Sequence, residues 1–245
     1  MKNLLEVTGL SVKRSAQFRL RLKSLSLDSG QILCVAGPNG SGKTTLIECL
    51  TGMLTPDTGS ISLAGIHTSN NLRATKSVLG YVPDDEAWFV KELCAKEYFA
   101  LLAEVYTEAG VSGNLLVRVE ELSKALYFTN FLQPLEQLSH GNKKKVQLIA
   151  GLMHKPKVLI VDELRNGLDP LAVIAAEQLL REEAKRGACI VATTHDLWWA
   201  ERVADHILLL VDGRQATYSP TKQIVKKYGS LEKLFLHVAR GDRHA

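Results

Sequence analysis

The stretch Gln31–Gly52 (QILCVAGPNGSGKTTLIECLTG) constrains the fold more than any other part of the chain. Ile32–Ala36 is an apolar run with the length of a buried strand. Gly37–Thr44 follows it directly in the pattern G-x-x-x-x-G-K-[ST] of a phosphate-binding loop. A helix is expected next, over about Lys43–Thr51. Strand, loop and helix in this order are the context that the motif requires, so the sequence predicts a nucleoside triphosphate site.

Each residue type in this loop has a physical reason to contact a phosphate chain. The glycines let backbone N–H groups turn towards the phosphates, and the helix N-terminus adds unpaired N–H groups with partial positive charge. The Lys43 ammonium can reach the β- and γ-phosphates, and the Thr44 hydroxyl can ligate Mg²⁺. The motif alone does not separate kinases, GTPases and motors. The predicted nucleotide-binding residues are Gly37, Pro38, Asn39, Gly40, Ser41, Gly42, Lys43, Thr44 and Thr45.

Composition restricts the class of protein and its partners. With 46% hydrophobic residues, a chain of 245 residues can bury one sizeable core. A formal charge of +4 gives no argument for a nucleic-acid partner. The four cysteines stand singly without metal-site spacing, so a reduced compartment is expected. The sequence shows no signal peptide, and no apolar run approaches the ~18 residues of a membrane helix, so a membrane span is expected on another chain.

Strand and helix patterns alternate on both sides of a helical middle section. Apolar runs before the loop predict an antiparallel β-layer. From about Ala87 to Met153 the periodicity is helical, and four apolar residues there share one helix face. Strands and helices alternate again after Lys157, which is typical of a mostly parallel sheet covered on both faces. The four residues are Leu115, Val119, Leu122 and Leu126.

These patterns predict one α/β domain over residues 1–245. Its core is expected at about 1–83 and 157–215, with a helical insert at about 84–156. A short tail, about 216–245, is expected to hold one or two short helices and then to fray. The predicted strands are Leu4–Val7, Phe18–Leu22, Leu25–Leu27, Ile32–Ala36, Ser60–Ala64, Val78–Val82, Val158–Val161, Ala188–Thr193 and His206–Val211. The later helices are predicted at about Gly141–Met153, Leu171–Lys185 and Asp196–Ala204.

Two acids end one of the later strands. The apolar run Val158–Val161 leads directly into Asp162 and Glu163. After a phosphate loop, a carboxylate in this place is expected to hold Mg²⁺, in part through water. The next carboxylate can polarise an attacking water, and a positioned base typically contributes about 10²–10⁴-fold in rate. Glu163 is therefore the predicted catalytic base, and Asp162 a predicted metal ligand.

The segment Leu138–Asn142 (LSHGN) opens a predicted helix just upstream of that strand. With the phosphate loop and the acidic strand end in this order, the chain resembles the ATP-binding cassette (ABC) family, whose signature is commonly LSGGQ. His140 and Asn142 depart from that pattern. The resemblance covers nearly the whole chain. It implies that Ser139, Gly141 and Asn142 face the γ-phosphate held by another copy's phosphate loop.

Two further segments carry the resemblance. Asn166–Pro170 (NGLDP) resembles the family's D-loop, which implies that Asp169 lies at a dimer seam. Thr193–Asp196 (TTHD) is similar to the switch segment, which implies that His195 acts in catalysis by a hydrogen bond to the γ-phosphate. The implied fold is a P-loop NTPase (RecA-like) core with an antiparallel β-layer and an inserted helical subdomain.

Two positions differ from the usual family pattern. Asp84, in YVPDD, stands where glutamine is usual, and some exporter-type cassettes look similar. A carboxylate there suits Mg²⁺ or a Mg²⁺-bound water, and a solvated loop acid is the alternative. The adenine-stacking position falls on Arg14, whose guanidinium can stack on a flat ring. An exposed arginine without this role, or stacking by Phe18 instead, are the alternatives.

The sequence also leads to expectations about the burial or exposure of three groups of side chains. Lys143–Lys145 is expected to be the solvated face of the signature helix. Trp198 and Trp199 are expected to divide into one surface and one core residue. A set of aromatic residues follows Asp84 and fits either a surface for a membrane subunit or a helical core. Its members are Trp88, Phe89, Tyr98, Phe99 and Tyr106.

The resemblance implies an ATP-hydrolysing subunit of a membrane transporter, exporter-like, that uses ATP and Mg²⁺. Its implied partners are a second nucleotide-binding subunit, either identical or paralogous, and separate membrane-spanning permease subunits, with no nucleic acid. The implied location is the cytoplasmic face of the cell membrane. The alternative is a soluble assembly ATPase of the iron–sulfur cluster type. Chromosome-maintenance and ribosome-bound cassettes fit poorly, because the chain has no room for a coiled coil or a second cassette.

Overall fold

One ten-stranded sheet organises the part of the chain that the computed structural model describes, residues 3–68, 72–86 and 89–239. The strand order across the sheet is β5-β4-β1-β2-β10-β9-β3-β8-β7-β6. The strands are β1 Asn3–Lys13, β2 Arg19–Asp28, β3 Ile32–Ala36, β4 Thr58–Leu63, β5 Ile66–His67, β6 Leu79–Val82, β7 Val158–Val161, β8 Cys189–Thr194, β9 His206–Val211 and β10 Arg214–Pro220.

Helices cover this sheet and fill the middle of the chain. A 3₁₀ turn, Leu135–Gln137, precedes the fifth of the described helices. The helices are α1 Lys43–Leu50, α2 Leu72–Val78, α3 Ala95–Glu108, α4 Leu115–Ala125, α5 His140–Leu152, α6 Pro170–Lys185, α7 Leu197–Val203, α8 Thr221–Tyr228 and α9 Leu231–Ala239.

The strands β9, β3, β8, β7 and β6 form a parallel section of the sheet. Every residue of β3, β7 and β8 is buried. Helices on both faces explain why these strands are continuous apolar runs rather than alternating ones. All loops that follow these strands therefore leave from one edge of the sheet, which is where α/β proteins place their ligands.

The other half of the sheet is antiparallel. β1 pairs with β2 on one side and β4 on the other. Burial alternates along β1 and β2, since only one face of this layer packs against the core. β10 joins the two halves, because it runs antiparallel to β9 and contacts β2 in parallel. A cluster of buried hydrophobic residues lies between this layer, α1 and the parallel strands.

Close backbone contact brings α5 onto β6. A Cβ built on Gly80 would lie 2.2 Å from the Gly151 carbonyl oxygen, and one on Gly151 would lie 2.8 Å from Val82 Cγ2. Two glycines facing each other let the helix and the strand approach more closely than any side chain permits. This contact sets where the signature segment, at the start of α5, lies relative to the sheet.

The predicted fold class is correct. The strands predicted at Phe18–Leu22 and Leu25–Leu27 are one strand, β2, and β1 extends six residues beyond the predicted end at Val7. The other predicted strands lie within a few residues of the observed ones. The four residues predicted to share a helix face, Leu115 to Leu126, are all buried. Three elements were missed: α2, the two-residue β5, and β10. β10 carries no apolar alternation, and α2 is only seven residues long. The tail does form two short helices, α8 and α9, while residues 240–245 lie outside the described part.

The exposure of the side chains tests the predictions for the tryptophan pair and for the three lysines. Trp199 is 1% exposed and Trp198 is 70% exposed, so the division of this pair is confirmed. The prediction that Lys143–Lys145 forms a solvated face is wrong. Lys144 is 1% exposed, and Lys145 is buried as well. Helical geometry turns the middle of the triplet towards the sheet, where backbone carbonyls accept the Lys144 ammonium.

The described aromatic residues after Asp84 belong to the core of the helical section. Phe89 and Phe99 are buried, and Tyr98 and Tyr106 pack partly buried against the same cluster. Phe89 and Tyr98 meet edge to face with ring centroids 5.6 Å apart. The fifth member, Trp88, lies outside the described residues.

None of the described helices combines the length and the apolar character that a bilayer-spanning segment needs.

The contact of Gly80 with α5 leads to a prediction on stability. We expect Gly80→Ala to lower the free energy of unfolding by about 1–3 kcal/mol, because the added methyl overlaps a backbone oxygen that cannot turn aside. Urea denaturation measures the change. Ser60→Ala, at an exposed position of β4, is the control and should stay within about 0.5 kcal/mol. An unchanged Gly80→Ala midpoint would contradict the close contact.

Candidate active site

The loop Gly37–Gly42 connects β3 to α1 and requires glycine at two positions for different reasons. A Cβ on Gly37 would lie 2.3 Å from the Leu210 carbonyl oxygen, so no side chain fits there. Gly42 caps α1 with φ of +107°, a backbone conformation that favours glycine. The loop thus presents backbone N–H groups and the start of α1 on its concave side, as a phosphate site requires.

Lys43 lies across this loop. Its Nζ donates to the carbonyl oxygens of Gly37 at 2.8 Å and Pro38 at 3.2 Å. Burial lowers the pKa of Lys43, while Glu163 and Asp162 nearby act in the opposite direction. Inside the loop, the buried Ser41 Oγ has no hydrogen-bond partner among the described residues. The loop therefore holds an ammonium and a spare hydroxyl, both suited to anionic oxygens.

A polar pocket of about 450 Å³ opens beside the loop. The loop and α1, the hairpin between β1 and β2, the end of β7 and the segment after β6 all contribute to it. Most of the residues that the sequence predicts for nucleotide and metal binding meet here. The lining residues are Arg14, Phe18, Asn39, Gly40, Gly42, Lys43, Thr44, Thr45, Asp84, Asp162 and Glu163.

The two acids after β7 are held differently. Asp162 Oδ1 accepts a hydrogen bond from the Thr193 hydroxyl, and its backbone N–H donates to the Val82 carbonyl at 2.8 Å. Burial raises the pKa of Asp162, and the Thr193 hydrogen bond acts against that rise. Glu163 has φ of +46°, uncommon for a residue with a side chain. Its N–H donates to Thr193 Oγ1 at 3.2 Å. One threonine on β8 thus fixes both acids.

His195 follows β8 and reaches the second acid. Its Nδ1 lies 3.1 Å from Glu163 Oε2, and its side chain is largely exposed. A histidine hydrogen-bonded to a carboxylate has its ring orientation set by that partner. His195 does not line the 450 Å³ pocket, but it contacts Glu163, which does.

Asp84 lines the same pocket as the phosphate loop. Asn166 Nδ2 donates to Asp84 Oδ1 at 2.9 Å, and Lys144 Nζ lies 3.9 Å from the same oxygen. The Asp84 side chain is 42% exposed. A carboxylate with one oxygen held by an amide and with access to the pocket can accept a metal-bound water. The structure thus brings Asp84 into the pocket with the phosphate loop and the two acids after β7.

Arg14 and Phe18 share the outer end of the pocket. The Arg14 guanidinium pairs with Glu48 on α1, with N–O distances of 3.1 and 3.2 Å. Phe18 is half-buried and packs against Gly42. Both flat groups therefore line the same pocket as the phosphate loop, and stacking of either on adenine remains a prediction.

The signature residues do not line the pocket of their own chain. Ser139 caps α5, and its Oγ accepts from the Asn142 N–H at 3.3 Å. The Asn142 side chain donates to Asn130 Oδ1 at 3.3 Å. Gly141 packs closely on Gly167, since an added Cβ would lie 2.7 Å from that carbonyl oxygen. None of these contacts involves the phosphate loop that precedes α1.

Asp169 has a local structural role as well. It caps α6 by accepting from the Ala172 N–H at 2.9 Å, and this bond lowers the pKa of the Asp169 carboxyl. Its second oxygen lies 3.8 Å from Lys145 Nζ on α5. The D-loop segment is thereby tied to the signature helix. Its position at a dimer seam remains a prediction.

Three residues of the site were missed in the sequence. Thr193 contacts both acids after β7, and Asn166 donates to Asp84. Lys144 donates to the carbonyls of Pro83 and Asp162, which directly precede Asp84 and Glu163. Thr193 stands at the carboxyl end of a predicted strand and Asn166 lies inside the D-loop segment, so their places in the sequence were a usable signal. Lys144 gave no such signal, because it is the middle of three lysines.

The donor set fits Mg²⁺ carried by a nucleotide. The hydroxyl of Thr44 and the carboxylates of Asp162 and Asp84 are oxygen donors that line one pocket. Among the described residues, no cluster of three or more His, Cys, Asp or Glu side chains is arranged to hold a metal ion alone. Mg²⁺ commonly takes one or two carboxylates together with substrate phosphates and waters, so a smaller protein set suffices.

Comparisons with known proteins agree with this geometry. Residues 20–166 match the family described as "ABC transporter". The ABC-type transporter ATP-binding protein EcsA of Bacillus subtilis is 29% identical, over 98% of both chains. Nod factor export ATP-binding protein I of a Rhizobium species is 30% identical over 89% of this chain and 71% of its own. A solved "ATP binding subunit of ABC transporter" superimposes with a TM-score of 0.89 at 29% identity, covering 96% and 99% of the two chains.

The matched family segment contains the phosphate loop, Asp84, the signature segment and both acids after β7. The pocket brings the phosphate loop and all three acids together in one place. The chain therefore belongs to the ABC transporter family, as one of its ATP-binding ATPase domains.

Proposed function

We propose that this chain is the nucleotide-binding subunit of an exporter-type membrane transporter and that it hydrolyses Mg²⁺-bound ATP to drive separate permease subunits. The observation that carries the proposal is the pocket in which Lys43 and Thr44 at the start of α1 meet Asp162 and Glu163 at the end of β7. A phosphate-binding loop facing two acids is the arrangement that ATP hydrolysis needs.

In this proposal, different residues of the chain have different roles in ATP hydrolysis. The loop N–H groups, the start of α1 and Lys43 bind and orient the phosphates. Glu163 accepts the proton of the attacking water, and His195 orients the carboxylate and contacts the γ-phosphate. Thr44 and Asp162 would hold Mg²⁺, which would supply positive charge against the phosphates when bound. Thr193 keeps Asp162 and Glu163 in place through its single hydroxyl.

A second subunit completes the site in this proposal. Ser139, Gly141 and Asn142 lie outside their own chain's pocket, so they can serve a phosphate only across an interface. A small hydroxyl and a glycine N–H at the start of α5 form an anion-binding surface of the right chemistry. Head-to-tail pairing with an identical or paralogous subunit would place this surface over the γ-phosphate, with Asp169 at the seam.

Export and attachment to a permease rest on the relatives. One relative is named for Nod factor export, and a solved structure is titled as a subunit of a transporter. Attachment through the permease would place this chain on the cytoplasmic face of the membrane. Purification of the tagged chain from detergent extracts tests this. Recovery of a multispanning partner supports the proposal, whereas ATPase activity recovered only in a soluble assembly complex would contradict it.

The phosphate loop generates the first functional prediction. Lys43→Ala should nearly abolish ATP binding in calorimetry, because it removes the charge that balances the β- and γ-phosphates. Lys23→Ala, at an exposed position of β2, is the matched control and should bind as the wild type does. ATP binding by Lys43→Ala within about twofold of wild type would show that the phosphates bind elsewhere.

Glu163, the acid that follows the predicted metal ligand Asp162, generates the second functional prediction. Glu163→Gln should keep nucleotide binding and lose hydrolysis by at least ~10²-fold, the lower range for a positioned base. Because ATP then persists, two copies should stay associated in size-exclusion chromatography with ATP. Glu120→Gln, exposed on α4, should hydrolyse normally. Normal turnover by Glu163→Gln would exclude it as the base, and a monomer with ATP even beside the permease would count against pairing.

Asp84 generates the third. We propose that its carboxylate senses nucleotide through Mg²⁺ or a Mg²⁺-bound water, since it cannot donate to a phosphate. Asp84→Asn should keep ATP binding, raise the Mg²⁺ concentration for half-maximal ATPase, and reduce coupling to transport. Asp85→Asn removes the same charge one residue away, at an exposed position, and serves as control. Unchanged Mg²⁺ dependence with full transport would make Asp84 a solvated loop acid.

A further inference from the structure

Lys144 is an unusual residue in this fold because its whole side chain is buried. It is 1% exposed and is among the largest fully buried side chains described. Burial of an ammonium costs several kcal/mol unless hydrogen bonds and opposite charges compensate it. Burial lowers the pKa of Lys144 to about 8, and four acids oppose the shift, with Asp84 the largest contributor among them. A costly group placed beside an active site requires an explanation.

Its hydrogen bonds reach two separate segments of the site. Nζ donates to the Pro83 carbonyl at 2.8 Å and to the Asp162 carbonyl at 2.8 Å. Pro83 immediately precedes Asp84, and Asp162 immediately precedes Glu163. One ammonium therefore holds the peptide units that precede Asp84 and Glu163, just after the neighbouring strands β6 and β7. Nζ also lies 3.9 Å from Asp84 Oδ1.

Neighbouring residues of α5 strengthen this attachment on one side. Gln147 Nε2 donates to the Asp85 carbonyl at 2.5 Å, and Lys143 Nζ pairs with Glu86 at 2.8 Å. These bonds hold the segment after β6 but do not reach Asp162. Lys144 differs because it alone, among the described side chains of α5, bonds to both acid-bearing segments.

We propose that Lys144 is a positioning residue that fixes Asp84 and Glu163 relative to each other by bonding to the backbone that carries each of them. This inference rests on the proposed ATPase function. Lys144 does not line the pocket, so it acts through the two carbonyls and through its fixed charge. The charge also offsets the mutual repulsion of Asp84, Asp162 and Glu163.

The test compares two variants of similar length. Lys144→Met keeps the packing volume and removes the charge and both hydrogen bonds, while Lys144→Arg keeps a cation that can donate to both carbonyls. We expect Lys144→Met to lower kcat by about 10–100-fold, the usual loss when a residue that supports a ligand is removed. The KM for ATP should stay within about twofold, because the phosphate loop is untouched. Lys144→Arg should recover most of kcat.

Lys143→Met is the matched control. Lys143 lies on the same helix and pairs with an acid, yet it contacts neither carbonyl. Its kcat should remain within about twofold of wild type. The melting temperature of each variant is measured alongside, since replacing a buried charge by an apolar side chain is often neutral or stabilising. A loss of kcat without a fall in melting temperature separates positioning from general destabilisation.

A second measurement, hydrogen exchange, does not require ATP hydrolysis. Amide hydrogen exchange of the nucleotide-free chain should show a loss of protection in Lys144→Met over residues 79–86 and 158–166, and nowhere else. Normal exchange there, or a kcat within twofold of wild type, would overturn the inference. A wild-type chain without ATPase activity would instead refute the proposed function, and exchange would still test the attachment.

Lys144→Gln covers the case in which the methionine variant does not fold. It is neutral but can donate hydrogen bonds, so it should fold and show an intermediate kcat. If both neutral variants fail to fold, Lys144 is required for the fold itself and the positioning role is refuted. Loss of kcat together with a raised KM, without recovery in Lys144→Arg, would refute it as well.

Discussion

The parallel pairing of β3, β8 and β7 is the constraint on which the site depends. Ala36 pairs with Thr194, so β3 and β8 end together, and Val161 at the end of β7 pairs with Ala192, two residues earlier. The phosphate loop, the two acids and His195 follow those ends: the loop and the acids line one pocket, and His195 Nδ1 lies 3.1 Å from Glu163 Oε2. Full burial of these strands on both faces makes the register strict, because a shift of one residue would misplace every group at this edge.

Acidic and basic side chains lie close together at this edge of the sheet. Three acids face the pocket, and a lysine stands on either side of them. Lys43 on one side and Lys144 on the other both donate to backbone carbonyls, and burial lowers the pKa of each. Lys43 remains open to the pocket and suits a ligand, whereas Lys144 is closed off and suits the protein's own backbone.

Much of this site could be predicted because its chemistry is local in sequence. A strand, a glycine-rich loop and a helix follow one another within Gln31–Gly52, and the acids end a strand. Contacts between distant segments could not be predicted. The bond from Lys144 to Pro83 spans 61 residues, and whether a lysine faces solvent depends on which side of α5 packs on β6. β10 was missed because its partners, not its own pattern, make it a strand.

The helix α5 joins the two parts of the proposed mechanism. Ser139 at its start faces outward, where a second subunit's nucleotide would bind, and Lys144 follows five residues later. At a rise of about 1.5 Å per residue, about 7.5 Å of rigid helix separates the two. The Gly80–Gly151 contact holds the far end of α5 against β6. A force applied at Ser139 on closure would therefore act on Lys144, and through its two carbonyls on Asp84 and Glu163 together.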